Sequence, residues 1–126
     1  MGLSVGVDLI ELARVQRVVD RYGERFLVRV YTEGELSRYR GRLPDLAVRF
    51  AAKEAVSKAL GVGLSHLSPM GIGWQEVEVL PDPLGKPEVH LSGRALLLAE
   101  EAGLRTWAIS LSHSDEHAVA FVVATD

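Results

Sequence analysis

Glu54 and Lys58 stand four residues apart in the run Arg49-Phe50-Ala51-Ala52-Lys53-Glu54-Ala55-Val56-Ser57-Lys58-Ala59-Leu60-Gly61-Val62, with the acid on the N-terminal side. On a helix they share one surface and can pair. Counted from Val48, the residues Ala52, Ala55, Val56 and Ala59 recur at three-and-four spacing, which predicts a buried stripe across from that surface. Arg49 and Lys53 are read as a neighbouring basic strip. An isolated E-x-x-x-K is most often a solvated, charge-paired helix face, so it becomes a candidate site only with a further carboxylate. Asp8 supplies one. Leu3, Val5 and Val7 alternate with Ser4, Gly6 and Asp8, the period of a half-buried strand with the odd-numbered residues as its core set and Asp8 pointing the other way at the strand's end. There Asp8 either caps the next helix or serves a site, and spacing alone leaves both open. Metal-dependent nucleases also combine two acids with a lysine, but they place acid and lysine two apart on a strand, not four apart on a helix.

The elements that must position these side chains follow from periodicity and punctuation. Residues 11–22 read as a helix with Leu12, Val15, Val19 and Tyr22 on one side. Arg14, Arg17 and Arg21 line its other side, and Arg25 and Arg29 continue the basic stripe beyond Gly23, open to solvent or to an acidic partner. Thr32-Glu33-Gly34-Glu35 is a capping box that starts a short helix toward Tyr39. The stretch 41–45, with Pro44, separates it from the long helix carrying Glu54 and Lys58. Gly61, Gly63, Gly71 and Gly73 interrupt helical structure, and 66–70 is expected to be a loop. Val77 and Val79 alternate with Glu76 and Glu78 as a strand, Pro81 to Pro87 is a turn, and 88–91 returns as a hairpin partner. Ser92 is a predicted N-cap, 95–102 a helix stopped by Gly103, and 106–112 and 118–124 two strands around the polar turn 113–117. Without strict strand–helix alternation the order predicts an α+β fold, a largely antiparallel sheet packed with helices.

Composition sets the boundaries. The 126 residues make a single domain, 1–126, and 48% hydrophobic with 25% charged residues describes a soluble globular protein. No apolar run approaches the roughly 18 residues of a membrane span, and no basic segment followed by a long apolar one opens the chain, so a cytoplasmic location is expected. The absence of Cys removes disulfides, thiolate nucleophiles and Cys-bound zinc. A net charge of −3 argues against bulk attraction to nucleic acid. Ser112, His113 and Asp115 are neighbours in sequence, which is weak support for a nucleophilic triad. His113 and His117 flank a strand-to-strand turn, where helical zinc-ligand spacing does not converge. Gly61-Val62-Gly63 follows a helix instead of opening one and is no phosphate loop by itself.

Taken together, G-V-D-L-I-E-L-A-R from Gly6, R-F-A-A-K-E-A-V-S-K-A-L-G from Arg49 and I-S-L-S-H-S-D-E-H-A-V-A from Ile109 resemble, in order and spacing, the holo-acyl-carrier-protein synthases, the short class of 4′-phosphopantetheinyl transferases. Gly85-Lys86-Pro87 matches that family's turn, and the resemblance runs from Gly6 to Val123, weakest over 62–73.

The resemblance implies transfer of the phosphopantetheine arm of coenzyme A to a serine of apo acyl carrier protein, with adenosine 3′,5′-bisphosphate as the other product. It implies Mg²⁺ held by Asp8 and Glu54, and Lys58 as a point charge on a phosphate. The serine proton passes to Glu54, to a metal-bound water, or through that water to a neighbouring carboxylate, with Glu54 or a water it orients preferred. Arg49 and His113 are implied as coenzyme A phosphate contacts, with Pro87 and the backbone around Leu111 near adenine. Arg14, Arg17, Arg21 and Arg25 are implied as docking charges for the carrier protein's acidic helix. The family further implies a homotrimer with sites between subunits, consistent with the apolar run 118–124 needing cover. Two other functions use the same residues: a metal-dependent phosphodiesterase, and a non-catalytic module that binds coenzyme A or carrier protein.

Overall fold

One long helix organises the molecule. The computed structural model describes residues 2–64 and 70–126; all of the expected 66–70 loop except Met70 lies outside the described residues. The elements are β1 (Leu3–Glu11), α1 (Leu12–Tyr22), α2 (Glu24–Val30), α3 (Glu33–Tyr39), α4 (Leu43–Leu60), a 3₁₀ turn (Trp74–Glu76), β2 (Val77–Pro81), β3 (Pro87–Leu91), α5 (Gly93–Glu101), β4 (Thr106–His113) and β5 (His117–Thr125). This is the expected α+β class, but the strands form two antiparallel sheets: a three-stranded one in the order β1-β5-β4 and the separate hairpin β2-β3. Helix α4 begins inside the stretch read as a separator, with Pro44 in the first turn, where its missing N–H costs nothing. It ends at Gly61, whose φ of +77° is the left-handed C-cap conformation glycine adopts freely.

The predicted α4 stripe is buried, and so is most of the rest of the helix, because it lies between the large sheet and the β2-β3 hairpin. The basic strip expected at Arg49 and Lys53 is therefore not a surface. Both side chains are buried and bonded inside the fold. The capping box at Thr32 and Glu35 forms as predicted, with Glu35 entirely buried.

The sheet corrects the reading of β1. Its even-numbered residues face α4: Ala120, Ala118 and Val122 of β5 and Ile109 of β4 lie on that covered side with Gly6 and Ile10. Leu3, Val5, Val7 and Leu9, expected to be the core set, are 51–69% exposed and share their face with Phe121. Alternation separated the two faces correctly, but both carry apolar residues and the period does not say which one a helix covers. Asp8 thus sits on the helix-covered face. It lies within the strand, which runs to Glu11, and the N-cap position of α1 is Glu11, so Asp8 is not a cap.

Contact between β1 and α4 is unusually close. A Cβ at Gly6 would lie 1.9 Å from the Ala55 carbonyl oxygen, and Ser4 Oγ donates to the Ala59 carbonyl at 2.6 Å. Gly6→Ala is accordingly expected to lower stability by roughly 2–3 kcal/mol, the upper range for overpacking against backbone. The measurement is the denaturant midpoint at unchanged slope; a loss below about 0.5 kcal/mol, the level of a neutral surface change, would contradict this packing.

Candidate active site

The β1–α4 contact brings the three sequence-predicted chemical groups together. Lys58 Nζ donates to Asp8 Oδ1 at 3.0 Å and to the Val7 carbonyl at 3.0 Å. Asp8 is largely shielded, with 17% of its side chain exposed, whereas Lys58 remains half open at 54%. Glu54 precedes Lys58 by one turn and is partly buried. Burial raises its pKa above the usual carboxylate value, the nearby Asp8 charge raises it further, and Lys58 and Arg14 pull it back. Two carboxylates from different elements therefore share one field, with a cation beside them. Among the described residues no group of three or more His, Asp or Glu side chains is placed to hold a metal ion. The pair offers hard oxygen donors of the kind Mg²⁺ prefers, and that ion usually keeps several waters and takes substrate oxygens beside one or two carboxylates. The residues fit such an ion.

Arg49, Pro87 and His113 also converge, but elsewhere. They line a groove of about 250 Å³ together with Tyr39, Asp45, Gly85 and Leu111. Arg49 Nε donates to the Val79 carbonyl (3.0 Å), Nη1 to the Asp45 carbonyl (3.3 Å) and Nη2 to Tyr39 Oη (2.8 Å). Its guanidinium also lies 3.7 Å from the Tyr39 ring centroid. Much of its donor capacity is thus spent on holding α4 to β2, and burial lowers its pKa. The groove runs along β4 while Asp8 lies on β1, and β5 stands between those strands. In register, Asp8 pairs with Ala120 and Ala120 with Leu111, so the two sets occupy opposite edges of the sheet, roughly 10 Å apart at the backbone.

Arg14, Arg17 and Arg21 are exposed on α1, and Arg25 on α2. Beside them is a feature sequence reasoning missed: an apolar pocket of about 370 Å³ lined by Ile10, Val15, Val18, Phe26, Phe50 and Trp74, with Arg14 and Arg29 also on its lining. Ile10 lies two residues beyond Asp8 on the same strand face, and Phe50 one turn before Glu54. The pocket therefore joins the basic stripe to the carboxylates. Val18, three residues after Val15 and four before Tyr22, widens the apolar side of α1 toward this pocket and was its sequence signal.

This geometry belongs to a chain whose residues 4–122 match the family model of the 4′-phosphopantetheinyl transferase superfamily. The protein is a member of that family. Among its relatives, a holo-[acyl-carrier-protein] synthase of Herpetosiphon aurantiacus is 50% identical over 123 residues, covering 96% of this chain and 97% of the relative. The fold matches the Helicobacter pylori holo-[acyl-carrier-protein] synthase in complex with coenzyme A, with a TM-score of 0.83 at 27% identity over 96% of this chain and 99% of that one. It also matches the Bacillus anthracis synthase in complex with CoA (3′,5′-ADP), with a TM-score of 0.76 at 35% identity over 98% and 96% of the two chains.

Proposed function

We propose that this protein is a holo-acyl-carrier-protein synthase that transfers 4′-phosphopantetheine from coenzyme A to a serine of apo acyl carrier protein. The observation that carries the reading is the meeting of Asp8, Glu54 and Lys58 at the β1–α4 contact in a chain that matches this family along nearly its whole length. In the reaction the serine oxygen attacks the phosphorus bearing the pantetheine arm. The P–O bond to the nucleotide half breaks, and adenosine 3′,5′-bisphosphate leaves with the electron pair. Negative charge grows on the diphosphate oxygens, and catalysis consists largely of holding and neutralising it.

Asp8 and Glu54 would hold Mg²⁺, which when bound supplies charge stabilisation to those oxygens. Lys58, anchored by the Val7 carbonyl and still half exposed, extends a positive charge to a phosphate. Glu54, with its raised proton affinity, receives the serine proton directly or through a water it orients. The Arg49/Pro87/His113 groove takes the nucleotide end of coenzyme A. His113, exposed at the end of β4, faces the phosphates, and Arg49 shapes the wall. Arg14, Arg17, Arg21 and Arg25 receive the acidic helix of the carrier protein, while the apolar pocket beside Arg14 accepts an apolar side chain from it.

Separation of the two halves across the sheet supports an assembly in which the β1 edge of one subunit meets the β4 edge of the next. The homotrimer with sites between subunits that the family resemblance implies fits such an arrangement. The exposed face of Leu3, Val5, Val7, Leu9 and Phe121 favours the same reading, because contiguous apolar surface of this kind marks an interface. Light scattering at micromolar concentration should give three times the chain mass. The double change Val7→Lys/Phe121→Lys, at a directly paired position, should give monomers with little transferase activity. A monomeric native protein would contradict the assembly.

The deciding assay incubates the protein with apo carrier protein, coenzyme A and Mg²⁺ and follows the carrier by mass spectrometry. Phosphopantetheine addition to the serine is the expected result. Hydrolysis of coenzyme A without an acceptor would indicate a phosphodiesterase instead, and ligand binding without any mass change a binding module. Among the described residues no helix is long and apolar enough to cross a membrane.

A further inference from the structure

Lys53, the residue immediately before Glu54, is wholly buried and paired with a wholly buried Glu35 on α3. Lys53 Nζ donates to Glu35 Oε1 at 2.8 Å, to the Trp74 carbonyl at 3.1 Å and to the Val77 carbonyl. Glu35 Oε1 also accepts from the Thr32 N–H at 3.0 Å, and its Oε2 accepts from the Val79 N–H at 2.9 Å. Every strong bonding direction of the pair is directed to a different piece of the fold: α3, the 3₁₀ turn, and both ends of the first half of β2. A buried ion pair of this kind is a poor way to gain stability, since well-packed apolar residues of similar size often do as well or better. What it does supply is direction, because an ammonium among three fixed acceptors tolerates little rotation of the helix that carries it.

The position on α4 gives that direction a use. Ala55, on the other side of Glu54 in the chain, is the residue against which Gly6 packs without room for a Cβ. Glu54 is therefore bracketed by two anchors. One ties α4 to β1, which carries Asp8, and the other ties it to α3 and β2 from the opposite side. We propose that the Lys53–Glu35 pair is a positioning device that fixes the rotation of α4, so that the Glu54 carboxylate is held toward Asp8 in the geometry needed to share a divalent cation. The inference rests on the metal-dependent transferase reading above and adds to it a supporting pair that touches neither substrate nor metal.

The test is the double variant Glu35→Gln/Lys53→Met. It removes both charges together, so neither is left buried alone, and the new amide keeps an acceptor for the Val79 N–H. Three quantities are read: Mn²⁺ binding in the presence of coenzyme A by electron paramagnetic resonance, kcat, and KM for carrier protein. Expected are a Mn²⁺ dissociation constant raised at least about fivefold, a kcat lowered about tenfold or more, and a carrier-protein KM within about twofold of the parent. Leu104→Ala, a core truncation in a separate apolar cluster with Ala99 and Ala124, controls for loss of stability as such. A folded double variant with parental Mn²⁺ affinity and kcat overturns the proposal. So does an equal loss of Mn²⁺ affinity in Leu104→Ala. If that variant does not fold, Glu35→Gln/Lys53→Gln, which likewise leaves no charge buried alone and keeps a donor for the Trp74 and Val77 carbonyls, is read by the same measurements and the same criteria. Failure of the parent itself to bind Mn²⁺ or to modify carrier protein would instead refute the underlying transferase reading.

Discussion

Glu54→Gln is expected to lower kcat for carrier-protein modification by about 1000-fold, the scale of removing a principal stabiliser of transition-state charge, while making the metal-free protein more stable at neutral pH. The two effects have one cause. Burial and the Asp8 charge raise the folded-state pKa of Glu54 above its ordinary value, with Lys58 and Arg14 offsetting only part of this. The folded protein therefore holds the Glu54 proton more tightly than the unfolded chain does. By linkage, the stability associated with that proton is fully present below the unfolded pKa and lost as pH rises through the folded one. Above that range an ionised Glu54 burdens the fold unless a cation offsets it. The glutamine, which never ionises, escapes the burden. Melting curves of metal-free parent and variant should coincide in acid and separate as pH rises from the ordinary carboxylate value of 4.5, with the variant melting higher. A variant that retains transferase activity, or that melts lower at neutral pH without metal, would show that Glu54 is not the strained ligand described here.

Reversal of the basic stripe, Arg14→Glu with Arg21→Glu, should raise KM for carrier protein by about 100-fold at low salt, taking roughly a factor of ten for each reversed contact. KM for coenzyme A should stay within about threefold, and the difference should shrink as ionic strength rises and the Debye length falls. The structure separates the two arginines. Arg21 lies against Tyr22 near the end of α1 and should act through KM alone. Arg14 lines the apolar pocket and also lowers the Glu54 pKa, so Arg14→Glu should depress kcat as well. Equal losses for both substrates, or no salt dependence, would remove the stripe from the docking surface.

Local order was the part of this fold most readily legible from residue types. The capping box at Thr32 and Glu35, the turn from Pro81 to Pro87 and the final hairpin follow from short-range chemistry and appear where expected. Failures arose where a distant partner decides. Arg49 and Lys53 look like surface cations until Tyr39 and the Val79 carbonyl, or Glu35 and two backbone carbonyls, are brought to them. Glu35 looked like a helix cap and is also half of a buried ion pair. The alternation in β1 defines two faces, but the face that meets α4 is set by Gly6, whose missing side chain lets Ala55 approach. For the site, spacing supplied a Glu–Lys pair on one helix and a lone aspartate on a strand. Their meeting is a property of β1–α4 packing, which family motifs anticipated and periodicity could not. The apolar pocket has walls from β1, α1, α2, α4 and the turn at Trp74, so no single window of sequence contains it.

That Asp8 and His113 occupy opposite margins of one sheet has a genetic corollary. In the ring proposed above, Asp8→Asn and His113→Ala would each inactivate an assembly of identical chains, yet they would damage different halves of each pocket shared between neighbours. When the two crippled proteins are mixed in equal amounts and allowed to exchange partners, about one pocket in four should draw both undamaged halves in a cyclic arrangement. Activity should then return from two preparations that have almost none separately.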